Sequence, residues 1–418
     1  MALLFLCLIF GTGRTQKIEA AVQNVPESLE EESRLDTVGT DQETERAAVR
    51  EKKGQQEKEA GDTETDQAAA AQDELLAELD FDAIQQEVDS LLSSQQFSFA
   101  GTVRSLLQDG DPFRTFRAGN AVLSCAKTAF LAQKGLMKEL FLLVLAGAVL
   151  GSFSSLFEGK QVRDASFYMV YLLALALILK NFQSSGENLK AVITSLVAFM
   201  RILTPSYYLA AAAAGGASSA VMFYQMLLLA ILAVEKLLLA LVLPMIHIYL
   251  LIALVNDLSG EEILSHMTEL LETCVNGLLK SSLGVLVGMQ MIRNLIAPAL
   301  DSLRQMALWR TAGMIPGIGN AVNAVTELVA GSAVLIRNCF GVTAMLVLLA
   351  AGMVPAVQLL VSGLSFRLLA AAAQPVSDKR IAGCLAAAGK GYAMLLRLLL
   401  TVEVLFLLTI AILAGTFS

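Results

Sequence analysis

Long apolar runs joined by short polar links fill the chain from about residue 137 to its C-terminus. A transmembrane helix needs about 20 mostly apolar residues to cross a hydrocarbon core of about 30 Å. Such runs occupy residues 140–157, 167–179, 191–214, 220–255, 277–298, 313–336, 341–364 and 392–413. The pattern predicts an all-α, polytopic membrane protein with about seven to nine membrane helices.

Three of the links refine this picture. The basic link at residues 160–163 is short, so the apolar runs on either side of it are expected to form a helical hairpin. The run at 220–255 is too long for one crossing, and we expect it to divide at Glu235 and Lys236 or near Pro244. Residues 256–272 are polar and helix-like, which predicts a connection between two membrane segments.

The sequence before residue 137 has a different character. Residues 2–10 are apolar, but about nine helical residues span only about 14 Å, so residues 1–15 are expected to be a signal peptide, with an uncleaved anchor as the alternative. Residues 16–72 are acidic, polar and almost free of aromatic residues, which predicts a disordered segment. Residues 73–136 are expected to form amphipathic helices, and residues 137–418 the polytopic transmembrane domain.

The amphipathic pattern begins at residue 73. Apolar residues recur at steps of three and four, the period of a helix with one apolar face, at Leu75, Leu76, Leu79, Ile84, Val88, Leu91 and Leu92. The opposite face is acidic and carries Glu74, Glu78, Asp82 and Glu87. Because anionic lipids would repel this face, we expect the helix to pack on a partner or on the protein's own membrane domain. A second amphipathic stretch covers residues 97–116.

Composition excludes several classes of protein. Of the 418 residues, 56% are hydrophobic and 16% charged, whereas soluble domains have about 25% charged residues. The net charge of −8 argues against nucleic acid as a partner. The chain has only two histidines, His247 and His266, and five cysteines without a CxxC pair. It therefore has few of the residues that a zinc site or a hydrolase requires. Gly317-x-Gly319 and residues 383–390 lack the spacing of nucleotide-binding loops. We therefore expect no catalytic, cofactor-binding or metal-binding residues.

Glycines mark possible packing and breaking points within the apolar runs. The pairs Gly147-x-x-x-Gly151 and Gly284-x-x-x-Gly288 each place two small residues on one helix face, and we expect them to pack helices within the chain. Residues 313–319 contain three glycines and a proline, so a continuous helix is not expected there. Broken backbone at membrane depth lines a cavity or is buried in protein, and a plain connecting turn is the alternative.

Charged residues inside apolar runs are the remaining candidates for function. They are Arg201, Glu235, Lys236, Lys280, Glu327, Arg337, Arg397 and Glu403. A charge at the bilayer centre is costly, so such residues pair, snorkel or line an ion or solute path. Glu235 and Lys236 point about 100° apart and need different partners. Arg397 and Glu403 are not expected to share a helix face.

A series of short motifs follows along the chain. In order they are residues 97–99, Leu106-Leu107, Lys138-Glu139-Leu140, Ile315-Pro316-x-x-Gly319, Gly331-Ser332, residues 335–338, Gly341-Val342, Pro355, Leu368-Leu369, residues 374–380 and Cys384-Leu385. From about residue 75 to the C-terminus, this order resembles the stage III sporulation protein AE family of endospore-forming bacteria. The Gln/Glu-rich tail departs from the family, since it is longer and more polar than its members imply.

The resemblance implies a multi-pass protein of the mother-cell membrane that surrounds the forespore. Its implied partners are other stage III sporulation membrane proteins, ring-forming subunits, a separate ATPase subunit and a forespore membrane partner, which together form a channel that sustains late forespore gene expression. It implies no catalytic residues and no cofactor. The motifs and the buried charges single out Pro316, Gly317, Gly319, Glu327, Arg337, Asn338, Gln374, Pro375, Asp378 and Arg380 as structural or functional positions.

Three functional hypotheses follow. The first is a non-enzymatic membrane subunit of a sporulation channel or export complex. The second is a stand-alone secondary transporter with a broken-helix site near residues 313–319, although the chain shows no convincing internal repeat. The third, a membrane-embedded enzyme such as an intramembrane protease, needs paired catalytic residues at membrane depth, and the sequence offers no clear pair.

Overall fold

The computed structural model describes residues 80–92, 97–109, 118–154, 160–211, 226, 229–259, 264–312, 319–375 and 377–415. The regular elements of this described part are all helical. They are α1 (Phe81–Leu91), α2 (Phe99–Asp109), α3 (Ala118–Ser154), α4 (Lys160–Ala211), a π-helical turn (Leu238–Val242), α5 (Leu243–Ser259), α6 (Ser265–Ala312), α7 (Gly319–Ala373) and α8 (Lys379–Gly415). The predicted signal peptide and acidic segment lie outside the described residues.

Five of these helical stretches are long and apolar enough to cross a membrane. Within the described part of the chain they are Phe167–Leu209, Leu229–Ser259, Ser265–Met289, Gly331–Ala373 and Lys379–Ala411. The prediction of a multi-pass, all-α membrane protein is therefore confirmed. The finer count of about seven to nine spans is not reached among these residues, and the predicted first span at 140–157 is not one of the five.

The amphipathic helices α1 and α2 pack on the membrane domain of the same chain. Their apolar faces contact α4 and α7, respectively. Ile84 and Val88 of α1 are fully buried, and the Phe99 ring of α2 meets the Phe340 ring of α7 edge-on, with centroids 5.0 Å apart. The Gln85 side chain joins the two helices, because it donates to the Phe97 carbonyl and accepts from the Phe99 amide. The period of three and four thus builds an apolar face that α4 and α7 cover.

Helix α4 replaces two predicted spans and the link between them. The runs at 167–179 and 191–214 were expected to be separate, yet α4 continues from Lys160 to Ala211. Its 52 residues measure about 78 Å, well over twice the thickness of the hydrocarbon core. The polar stretch between the runs contains no proline, and two of its side chains, Asn181 and Ser185, find a partner on α8. The helix therefore continues through residues that look like a link in the sequence.

The long run at 220–255 also does not divide as predicted. Leu229–Ser259 is one helical stretch with a π-helical turn at Leu238–Val242. In this turn the Leu243 amide donates to the Leu238 carbonyl, five residues back. Pro244 follows at once and has no amide hydrogen to donate. The wider π-helical turn accommodates this missing hydrogen bond, so the helix continues past the proline.

The hairpin of α7 and α8 forms the centre of the fold. The two helices pack closely along their length, and α3, α4 and α5 surround them. Large side chains such as Phe340, Phe366, Tyr392 and Phe406 are buried between these helices. Apolar side chains also cover the outer surface, among them Met169, Val285 and Leu295, which are more than two thirds exposed. Such a surface is costly in water and suits a bilayer or a membrane partner.

Candidate functional site

The turn between α7 and α8 contains the predicted positions Gln374, Pro375, Asp378 and Arg380. After α7, the Ser377 amide donates a hydrogen bond of 2.8 Å to the carbonyl of Ala373, the last residue of that helix. Asp378 then caps α8, because its carboxylate accepts the Arg380 amide at 3.0 Å. An aspartate at this position satisfies a backbone donor that the first turn of a helix leaves free. The motif at residues 374–380 therefore reverses the chain between the two central helices.

Arg380 joins this turn to two other helices. Its guanidinium donates to the Leu258 carbonyl at the end of α5, at 3.5 Å, and lies over the Phe167 ring of α4, 5.4 Å from the centroid. A cation is favoured at a helix C-terminus, where carbonyl groups lack partners. Arg380 thereby holds together α8, α5 and α4 at one end of the bundle.

A second polar contact lies beside Arg380. The Tyr171 hydroxyl of α4 donates to the Leu254 carbonyl of α5 at 2.5 Å, and the ring is buried. The Asp257 carboxyl group of α5 packs against Gly383 of α8, where an added Cβ would stand 3.1 Å from it. No side chain larger than hydrogen fits at Gly383 without displacing Asp257. Neither contact was predicted from the sequence.

A polar and aromatic cluster lies further along α4. Asn181 donates to the Tyr392 hydroxyl of α8 at 2.7 Å, and Ser185 shares a hydrogen bond with the same hydroxyl at 3.2 Å. The Tyr392 ring stacks on Phe366 of α7, with centroids 5.3 Å apart and an interplanar angle of 17°. The Phe182 ring meets Tyr392 edge-on. This cluster ties the polar middle of α4 to the central hairpin.

His247 fills a notch in α4. Its Nδ1 is 2.9 Å from the Leu243 carbonyl, so Nδ1 carries the hydrogen in this contact. Its Nε2 lies 2.5 Å from the position of a Cβ built on Gly186. The edge of the imidazole also meets the Phe182 ring. These are packing contacts, in line with a structural role for this histidine.

The charged residues of the apolar runs find separate environments. Arg201 of α4 forms an ion pair with Glu235, so this charge is paired as one of the sequence hypotheses requires. Arg397 of α8 donates to Asn276 of α6 at 3.1 Å. Glu403 faces Gly352 of α7 instead. The prediction that Arg397 and Glu403 do not share a face is therefore confirmed.

Arg337 and Asn338 are adjacent on α7 but lie in different surroundings. Arg337 is fully buried and interacts electrostatically with Tyr207 of α4, whereas Asn338 is exposed. Gly319 opens α7 and Glu327 follows within it, but the surroundings of both lie outside what the structure describes, and Pro316 and Gly317 lie outside the described residues altogether. The hypothesis of a cavity or a turn at residues 313–319 thus stays a prediction. Among the described residues, no group of three or more His, Cys, Asp or Glu side chains could hold a metal ion.

The two glycine pairs have different outcomes. Gly147 of α3 packs on Val170 of α4, whose Cγ1 would stand 3.0 Å from an added Cβ. Its partner in sequence, Gly151, has no described surroundings. Among the described residues, no atom lies within 4 Å of a Cβ added to Gly284 or Gly288 of α6, so the predicted helix packing by this pair is not seen in that part of the chain.

Comparison with known proteins assigns most of the chain to one protein family. The family model of stage III sporulation protein AE matches residues 97–416, which is most of the chain. The protein of that name from Bacillus subtilis (strain 168) is 22% identical over 291 residues, covering 69% of this chain and 73% of the relative. No solved structure matches the chain.

Proposed function

This chain belongs to the stage III sporulation protein AE family, and from that premise we propose that it is a non-enzymatic subunit of a sporulation channel or export complex. The chain is a multi-pass membrane protein of a sporulation family, and that family is named for a stage of sporulation rather than for a reaction. The match over residues 97–416 carries the proposal, because it spans the membrane domain.

The proposed complex connects the mother cell with the forespore and sustains late forespore gene expression. Its subunits would include other stage III sporulation membrane proteins, ring-forming subunits, an ATPase as the energy source and a partner in the forespore membrane. This chain would reside in the mother-cell membrane around the forespore. The large apolar side chains on the outside of α4 and α6 support assembly within a membrane, since both lipid and other membrane helices can cover them.

Deletion of the gene in its endospore-forming host tests the proposal. We expect arrest after engulfment, failure of late forespore transcription and loss of heat-resistant spores, all restored by an ectopic copy of the wild-type gene. Affinity purification of a tagged copy from sporulating cells should recover other sporulation membrane proteins. Normal spore yield in the deletion strain would contradict the proposal.

The transporter hypothesis makes a different prediction. If the chain is a stand-alone secondary transporter, the purified protein alone should move a solute across liposomes, and deletion should change uptake or efflux without stopping sporulation. The double substitution Gly317→Leu and Arg337→Ala should then abolish transport while the protein is still inserted. Under the channel-subunit hypothesis, by contrast, spore formation that survives this double substitution would show that the region of residues 313–337 is not needed for function.

A further inference from the structure

Glu403 is a buried carboxyl group for which the described part of the membrane domain provides no counter-ion. It lies in the candidate span Lys379–Ala411, and only 8% of the residue is exposed. Its Oε1 is buried and makes no hydrogen bond to any residue that the structure describes. An ionised carboxylate in such a place is costly, because burial removes its hydration shell and no described counter-ion compensates for that loss.

The carboxyl group packs against the backbone of α7. A Cβ built on Gly352 would overlap the carboxyl group and would stand 3.0 Å from Cγ of Glu403. Gly352 is the central residue of the candidate span Gly331–Ala373, about 31 Å of helix from either end. The contact therefore lies inside the candidate spans of both α7 and α8.

The surroundings of this contact are apolar. On α8 the neighbours one turn away, Leu399 and Phe406, are buried, and so is Leu348 of α7. These side chains offer no hydrogen-bond donor. A glycine at position 352 leaves the backbone of α7 open to the carboxyl group.

Charged groups on the neighbouring helices lie elsewhere. Arg397 is six residues from Glu403, about 9 Å along α8, and its guanidinium is bound to Asn276 of α6. On α7, Arg337 and Arg367 are each fifteen residues from Gly352, about 22 Å along the helix. On α4, Arg201 is paired with Glu235, and on α5, Asp257 contacts Gly383. On α3, the charged side chains of Lys127, Lys134, Lys138 and Glu139 are exposed. None of these groups forms an ion pair with Glu403 in the described part of the chain.

Pro355 leaves a backbone carbonyl of α7 without its usual helical donor, and a protonated carboxyl group needs such an acceptor. A proline within a helix has no amide hydrogen, so the carbonyl four residues earlier, that of Ala351, loses its usual donor. Ala351 directly precedes Gly352. A neutral carboxylic acid could donate to this carbonyl, whereas a carboxylate would be repelled by it.

From this geometry we propose that Glu403 is a proton-binding site, which carries its proton at neutral pH where the membrane-spanning helices α7 and α8 meet. The ligand is the proton itself. Release of the proton would leave a bare charge against Gly352, so it requires water to enter between α7 and α8. Protonation therefore favours the closed packing of the central hairpin.

Infrared spectroscopy of the purified full-length protein tests the protonation state without any reagent. The difference spectrum of wild type minus Glu403→Gln at neutral pH should contain the carbonyl stretch of a protonated carboxylic acid. Glutamine is uncharged and similar in shape, so the variant is expected to fold. A carboxylate band in its place would overturn the proposal. The acid band should not change when sodium is added at constant pH; its loss would indicate a cation-exchange site and would also overturn the proposal.

Chemical labelling in native membranes gives a second test. A lipid-soluble carbodiimide adds to protonated carboxyl groups, and we expect its stable N-acylurea adduct on the peptide that contains Glu403. The adduct should be absent in Glu403→Gln and unchanged in Glu235→Gln, since Glu235 is ion-paired. Labelling of Glu403 only below neutral pH would show that it is ionised at neutral pH and would contradict the proposal.

Discussion

The imidazole of His247 occupies the space in which a side chain at position 186 would stand. Its Nε2 lies 2.5 Å from the position of a Cβ on Gly186, and its Nδ1 is held by the Leu243 carbonyl at 2.9 Å. The glycine therefore allows α4 and α5 to approach each other. A one-carbon change at this position tests how closely the two helices are packed.

Gly186→Ala should destabilise the protein by about 1–3 kcal/mol, because the added methyl group overpacks a fixed contact. The unfolding temperature of the purified protein in detergent measures the effect. Gly284→Ala is the matched control, since no atom of the described residues lies within 4 Å of a Cβ there, and it should leave the unfolding temperature unchanged or slightly raised. Equal effects of the two substitutions would show that helix propensity, not the His247 contact, determines the outcome.

The Tyr392 hydroxyl offers a test of polar contacts at membrane depth. Tyr392→Phe keeps the stack on Phe366 but removes the partner of Asn181 and Ser185. We expect a loss of about 1 kcal/mol in the free energy of unfolding, because a half-buried amide is left without an acceptor. Tyr168→Phe changes a tyrosine that is 46% exposed and should have no measurable effect. If both variants unfold like the wild type, the Asn181 amide finds another acceptor.

Two substitutions of Asp378, which caps α8, can separate the contribution of its capping oxygen from that of its negative charge. Asp378→Ala removes the acceptor of the Arg380 amide and should cost about 1 kcal/mol of stability. Asp378→Asn keeps a good capping oxygen and should be close to the wild type in the same unfolding assay. If the asparagine variant is as unstable as the alanine variant, the negative charge of Asp378 matters more than the cap.

The ion pair between Arg201 and Glu235 can be tested by exchanging its charges. Their side chains are 42% and 19% exposed, so the expected contribution is modest, about 0.2–1 kcal/mol. Arg201→Glu and Glu235→Arg should each lower the amount of folded protein in membranes, because each places like charges side by side. The double exchange should restore much of it. Additive losses in the double variant would mean that the two residues do not interact.

Local sequence patterns determined the class of this protein. Apolar runs as long as a bilayer is thick identify a helical membrane protein without knowledge of its packing. A period of three to four residues likewise identified the apolar face of α1, which contains Ile84 and Val88. Helix geometry also separated Arg397 from Glu403, since residues six apart point in different directions. These properties depend on neighbours in the chain.

The tertiary structure decided what each interruption of the pattern means. The polar residues around Asn181 look like a link between two spans. However, the Tyr392 hydroxyl of α8 accepts a hydrogen bond from Asn181, and α4 continues through this region. Gly147 and Gly284 belong to the same kind of motif, yet among the described residues only Gly147 has another helix against it. The sequence marks Glu403 as a charge in an apolar run. Only the structure shows that its carboxyl group packs on Gly352 and that its Oε1 has no hydrogen-bond partner among the described residues. In each case the outcome depends on which side chain a different helix brings to the same depth, and local sequence does not contain that information.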